Sequence, residues 1–185
     1  MEMRSKKHTI AIDIFLMMVA WFMVFSGSAS AIGKRTMEKN LFALVDELTV
    51  AGIARPSIER LAGVHLRLAS ETDVSNSYVG DGFRLKDVAV TSLDYREATP
   101  ANPLHPGPIL IVELHGGCIS RDMVFDHYTN LRLFDAPHGH SLDEETSYSR
   151  VESWGQLRFG FAERSPDCLS SVVFDARSRI DPQRP

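Results

Sequence analysis

The chain has 185 residues, 24 acidic against 20 basic, for a formal net charge of −4, and 44% of it is hydrophobic. That balance leaves no basic stripe and argues against a nucleic-acid partner. The apolar fraction is enough for one domain with a sizeable core.

Arg4, Lys6 and Lys7 precede an apolar run from Ile14 to Phe25, and Ala29-Ser30-Ala31 follows it. This is the layout of a secretory signal peptide, residues 1–31, cut after Ala31. The run falls short of the ~18 to 20 residues that span a bilayer, and Asp13 interrupts it on the N-terminal side. Cleavage leaves a chain from Ile32 to Pro185 with 17 basic and 22 acidic residues. The first cysteine, Cys118, lies far from the cut, so no lipid anchor follows it. The expected product is periplasmic or secreted, with no stable membrane insertion after cleavage.

Residues 36–51 predict a helix, because Leu41, Leu44, Val45 and Leu48 fall at i, i+3, i+4 and i+7 and Gly52 can stop it. Pro56 suits the first position of a short helix that ends at Gly63. The period then changes to two: Val64, Leu66 and Leu68 alternate with His65 and Arg67, a half-buried strand with His65 pointing outward. Further strands are expected over 77–85, with Gly80-Asp81-Gly82 as a bend or bulge, and over 87–97. The prolines of 98–108 make a loop that holds His105. Ile109 to Leu114, broken only by Glu113, reads as a central strand. Ser120 caps a helix reaching to about Thr129, with Met123, Val124 and His127 on one face. Leu131 to Phe134 is a short strand, and outside it the 130–150 region reads as a long acidic, solvent-facing loop. Gln156 to Ala162 and Leu169 to Asp175, joined by a turn at Ser165-Pro166-Asp167, make an antiparallel hairpin. Residues 177–185 form a polar tail.

In an exported protein, two cysteines read as one disulfide, Cys118 to Cys168. It would close a loop of about 50 residues, worth on the order of 4 kcal/mol by chain entropy.

The fold class is α+β: N-terminal helices and one central helix on an antiparallel sheet, in a single domain over 32–176. The two halves, 36–97 and 109–176, follow one plot. Leu66-Arg67-Leu68 corresponds to Leu131-Arg132-Leu133, and Ser77-Tyr78 to Ser147-Tyr148, so the chain divides into two tandem helix-plus-hairpin units. A helical pair running into a hairpin sheet resembles small envelope modules of the outer-membrane-assembly lipoprotein type, and its tandem form resembles the β-lactamase inhibitory protein. The resemblance lies in element order over 36–175. It implies a non-enzymatic protein that binds other proteins through the concave sheet face and its loops. The missing anchor cysteine departs from the lipoproteins.

The stretch Pro137-His138-Gly139-His140-Ser141-Leu142-Asp143-Glu144-Glu145 gathers histidines and carboxylates. Two histidines spaced by one flexible glycine lack the i, i+4 helical spacing of a hydrolytic zinc site. The chain also holds no G-x-S-x-G, no H-E-x-x-H and no phosphate-cradling loop. The reading is therefore a recognition loop with no metal and no cofactor, in which His138, His140, Asp143, Glu144, Glu145, Tyr148 and Trp154 contact a protein partner. Changing the three carboxylates together should then cost little stability. That partner would be a toxin or envelope enzyme, which makes the chain an inhibitor or immunity protein. The alternatives are a periplasmic hydrolase using His115, His138 or His140 with a metal, and a passive envelope-assembly module.

Overall fold

The computed structural model describes residues 36–99 and 107–177. The expected signal peptide, most of the proline-rich loop with His105, and the tail from 178 lie outside the described residues.

Helix α1 spans Leu41–Ala51 and buries the expected stripe, Leu41, Leu44, Val45 and Leu48. It starts later than its periodicity suggests, because its free N–H groups find acceptors at Leu41. The Asn40 side chain accepts from Ala43 N at 2.9 Å, and Asp87 accepts from Leu41 N at 3.1 Å. Helix α2 spans Arg55–Ala62, with Pro56 in its first turn and Gly63 closing it at φ 62°. The Glu59 carboxylate then steers the chain out, accepting from Leu66 N at 2.9 Å and pairing with the outward-facing His65 at 3.0 Å. Helix α3 spans Arg121–His127, and its cap Ser120 accepts from Met123 N at 3.2 Å. Val124 is buried beneath it while Met123 faces solvent, so the face expected for both holds only one.

The strands are β1 (Leu66–Glu71), β2 (Ser75–Arg84), β3 (Ala89–Ala98), β4 (Ile109–His115), β5 (Arg132–Asp135), β6 (Glu145–Glu152), β7 (Gly155–Ala162) and β8 (Ser171–Asp175). They form one antiparallel sheet in the order β1-β2-β3-β4-β8-β7-β6-β5. Two expectations are corrected. Strand β2 runs through Gly80-Asp81-Gly82 without a break in its pairing to β3. Gly82 serves close approach instead, since a Cβ there would lie within 2.6 Å of the Thr91 and Val90 carbonyl oxygens. Part of the region read as an acidic loop is strand β6, paired along its whole length with β7.

Read inward from either edge, the ladders repeat. Leu68 faces Tyr78, Tyr78 faces Tyr95, and Tyr95 faces Leu110. From the other edge, Leu133 faces Tyr148, Tyr148 faces Phe159, and Phe159 faces Val172. Both edge ladders slip at the corresponding step, between Leu68 and Ser70 and between Leu133 and Asp135. Strands β4 and β8 meet in the middle, with Ile111 opposite Val173.

One face of the sheet carries Leu93, Leu110, Phe159, Phe161 and Phe174, packed with the apolar residues of the helices into one core. Burying each large side chain contributes roughly 1.5–3 kcal/mol. A polar clasp joins α1 to the end of α3. Asp46 accepts from the Tyr128 hydroxyl at 3.0 Å and lies 3.0 Å from His127 Nε2, while His127 stacks on Phe42. Burial and the neighbouring Asp46 push the Tyr128 phenol well above its ordinary range. Cys118 and Cys168 are bonded, with Cα atoms 4.9 Å apart across 50 residues, joining the segment after β4 to the segment before β8.

Candidate functional site

Because side chains alternate along a strand, the residues between the core positions point to the opposite face. There Asp94 lies beside Ile111, Ile111 beside Val173 and Val173 beside Arg158. One step along, Glu113 lies beside Ser171 and Ser171 beside Gly160. The described helices bury their apolar stripes against the other side, so none of them covers this face. A concavity of about 710 Å³ stands on it, floored by Ile111, Glu113, Ser171 and Val173 and walled by Phe134 and Glu145.

Three groups organise its charge. The Asp175 carboxylate is clasped by Arg158 Nη2 at 2.5 Å and by Arg177 Nε at 3.0 Å. Burial alone would raise its pKa, but the Arg177 hydrogen bonds and the charges of Arg177 and Arg158 outweigh burial and hold it below the usual carboxylate range. Glu145, at the start of β6, reaches over Gly160 to β8, where Ser171 Oγ donates at 2.7 Å and Ser170 Oγ lies 2.6 Å away. The reach needs glycine, since a Cβ at Gly160 would overlap the Glu145 carboxylate. Glu113 has no ion pair among the described residues. Partial burial, then the Glu145 and Asp94 carboxylates, raise its pKa. Arg158 also lies over the Phe134 ring, its guanidinium carbon 4.6 Å from the ring centre.

The residues expected to form a recognition loop go to different places. Asp143 and Glu145 line the concavity, and Asp143 pairs there with Arg164. His138 and His140 are exposed. Glu144 binds its own loop: its carboxylate accepts from the backbone N–H groups of His138, Gly139 and His140 at 2.5, 3.0 and 3.1 Å. Burial opposes ionisation of Glu144, but those N–H groups prevail and lower its pKa. Tyr148 packs on the helical face, 4.9 Å from the Phe125 ring and 6.1 Å from Phe161. Trp154 stacks on Phe174 at 5.9 Å. Among the described residues no three His, Cys, Asp or Glu side chains are placed to hold a metal, and His115, His138 and His140 do not gather.

Sequence reasoning passed over Glu113, Arg158, Ser171 and Asp175. One signal was present: Glu113 is the single charge inside the apolar run Ile109 to Leu114. Such a residue marks the uncovered side of a strand.

In comparisons with known proteins, the chain matches no family model, no curated protein and no solved structure. Among the described residues no helix is long and apolar enough to cross a membrane.

Proposed function

We propose that the chain is an exported, tandem protein-binding module, an inhibitor or immunity protein for a toxic enzyme, which docks its partner on the open face of the sheet. The observation that carries this reading is the charged concavity on a sheet face that the helices leave uncovered. A sheet face walled by acidic side chains favours encounter with a basic surface, and charge steers such encounters. On this reading the two units are β1–β4 and β5–β8, each entered through helix, and the boundary falls at Gly116-Gly117 after β4 rather than in the 98–108 loop. The common ladder pattern supports that division, and the disulfide suits an oxidising compartment.

An immunity protein normally sits beside its toxin, so the test uses the product of the neighbouring gene. Co-expression of the mature chain should restore growth to cells making that product, and the purified pair should associate. Glu113→Lys with Asp135→Lys, a second carboxylate that lines the concavity, should abolish both. An indifferent neighbouring product would remove the immunity reading. Unchanged association of the double variant would remove the open face as the surface.

A further inference from the structure

The matched ladders place unlike side chains at corresponding positions on the open face. Counting from the axial pair Ile111 and Val173, Glu113 on β4 stands where Asp175 stands on β8. Asp94 lies beside Ile111 as Arg158 lies beside Val173. His115 follows Glu113 at the interval at which Arg177 follows Asp175. Each half therefore presents a carboxylate at the same register position, buried at Asp175 and exposed at Glu113.

Only one is neutralised. Asp175 is held by Arg158 Nη2 at 2.5 Å and by Arg177 at 3.0 and 3.1 Å. At Glu113 the place of Arg158 is taken by Asp94 and that of Arg177 by His115. The other guanidinium groups around it are engaged elsewhere: Arg96 Nε lies 3.1 Å from both Asp94 oxygens, and Arg164, which lines the same concavity, pairs with Asp143. Glu145 is likewise turned toward Ser170 and Ser171. Glu113 thus keeps its hydrogen-bonding capacity free among the described residues. It stands on the floor of a concavity of about 710 Å³, wide enough for a long side chain from outside.

We propose that Glu113 is the seat of an arginine side chain from the protein partner, which supplies in trans the guanidinium that Arg158 and Arg177 supply in cis to Asp175. The inference rests on the open-face docking reading and names the group that the docked partner presents. A planar guanidinium donates two parallel hydrogen bonds to a carboxylate and stacks on rings, as Arg158 does on Phe134, whereas an ammonium offers a point charge. The occupied half serves as the template for the vacant one.

The probe is a blocked Gly-Arg-Gly peptide, with Gly-Lys-Gly as its counterpart, titrated into the mature protein and followed by NMR. The arginine peptide should give saturable shifts at Glu113, His115 and Ser171, with the lysine peptide binding several-fold more weakly. His115→Arg, at an exposed strand end, should fill the seat from within, keeping the wild-type melting temperature and abolishing the saturable shifts. Glu113→Gln should abolish them too. Equal affinity for the two peptides, undiminished binding in either variant, or shifts centred on Asp175 would overturn the proposal. A neighbouring-gene partner that binds Glu113→Gln as it binds wild type would overturn it while leaving the docking reading standing. Saturation as expected, with no protein partner found, would support the seat and sink the immunity reading.

Discussion

The carboxylate of Glu145, which pairs with Ala162 across the β6–β7 ladder, lies over Gly160, and the absence of a side chain at Gly160 is what lets it reach Ser170 and Ser171. Gly160→Ala should displace the carboxylate and leave the Ser171 hydroxyl without its acceptor, costing about 1–3 kcal/mol. In a Glu145→Ala background the same substitution should cost clearly less. Chemical denaturation of the four proteins of this cycle measures the coupling, and additive costs would show that the two residues act separately.

The pH dependence of stability should carry the mark of Glu113. Its folded pKa is raised, so its ionisation is resisted more in the native state than in the unfolded chain. The stability tied to its protonated form is fully present below the ordinary carboxylate pKa of about 4.3, and it is lost as pH rises through the raised folded value. Glu113→Gln should remove that loss and be the more stable protein at neutral pH, as urea midpoints across the acidic range would reveal. Asp175 acts in the opposite sense. Its pKa is lowered, so its contribution is present above the ordinary carboxylate range and lost as pH falls through the folded value.

Loss of the Glu144 carboxylate should loosen the turn at Pro137 to His140. In Glu144→Ala the amides of His138, Gly139 and His140 should exchange faster with solvent, while core amides such as that of Phe159 stay protected. The joint change of Asp143, Glu144 and Glu145 to Ser, harmless if the carboxylates were merely solvated, should instead lower stability by roughly 1–3 kcal/mol, because Glu144 and Glu145 accept the bonds described above.

Removing the disulfide as Cys118→Ala with Cys168→Ala should cost about 2–4 kcal/mol. The effect should appear as a lower thermal midpoint that added reductant does not lower further. Reductant should bring the wild-type protein down to the same point.

Export should leave Ile32 as the first residue, and intact mass of the secreted or periplasmic protein checks this. Retention of Met1 to Ala31 in that fraction would end the signal-peptide reading.

Much of the fold was legible because its elements carry strong periods. The Leu41, Leu44, Val45 and Leu48 stripe located α1, and the cysteine count located the bond. Strand β6 was not legible: Glu145-Thr146-Ser147-Tyr148-Ser149-Arg150-Val151-Glu152 has only two large apolar side chains, and they fall on opposite faces. Its pairing comes from β7, which no local pattern announces. The open face was hidden for another reason. An apolar run such as Ile109 to Leu114 suits a strand buried on both sides, and only the placement of the three described helices on one side leaves Ile111 and Glu113 with no described helix over them.

The slips between Leu68 and Ser70 and between Leu133 and Asp135 fall on β1 and β5, the two rims of a sheet whose other described slip, between Val90 and Ser92, lies inside it. An open sheet with straight rims is a template for its own polymerisation, since each free row of N–H and C=O groups can accept another strand. A bulge twists the rim and breaks that row. Resistance to fibril growth is thereby built into both ends of the sheet, at β1 and at β5.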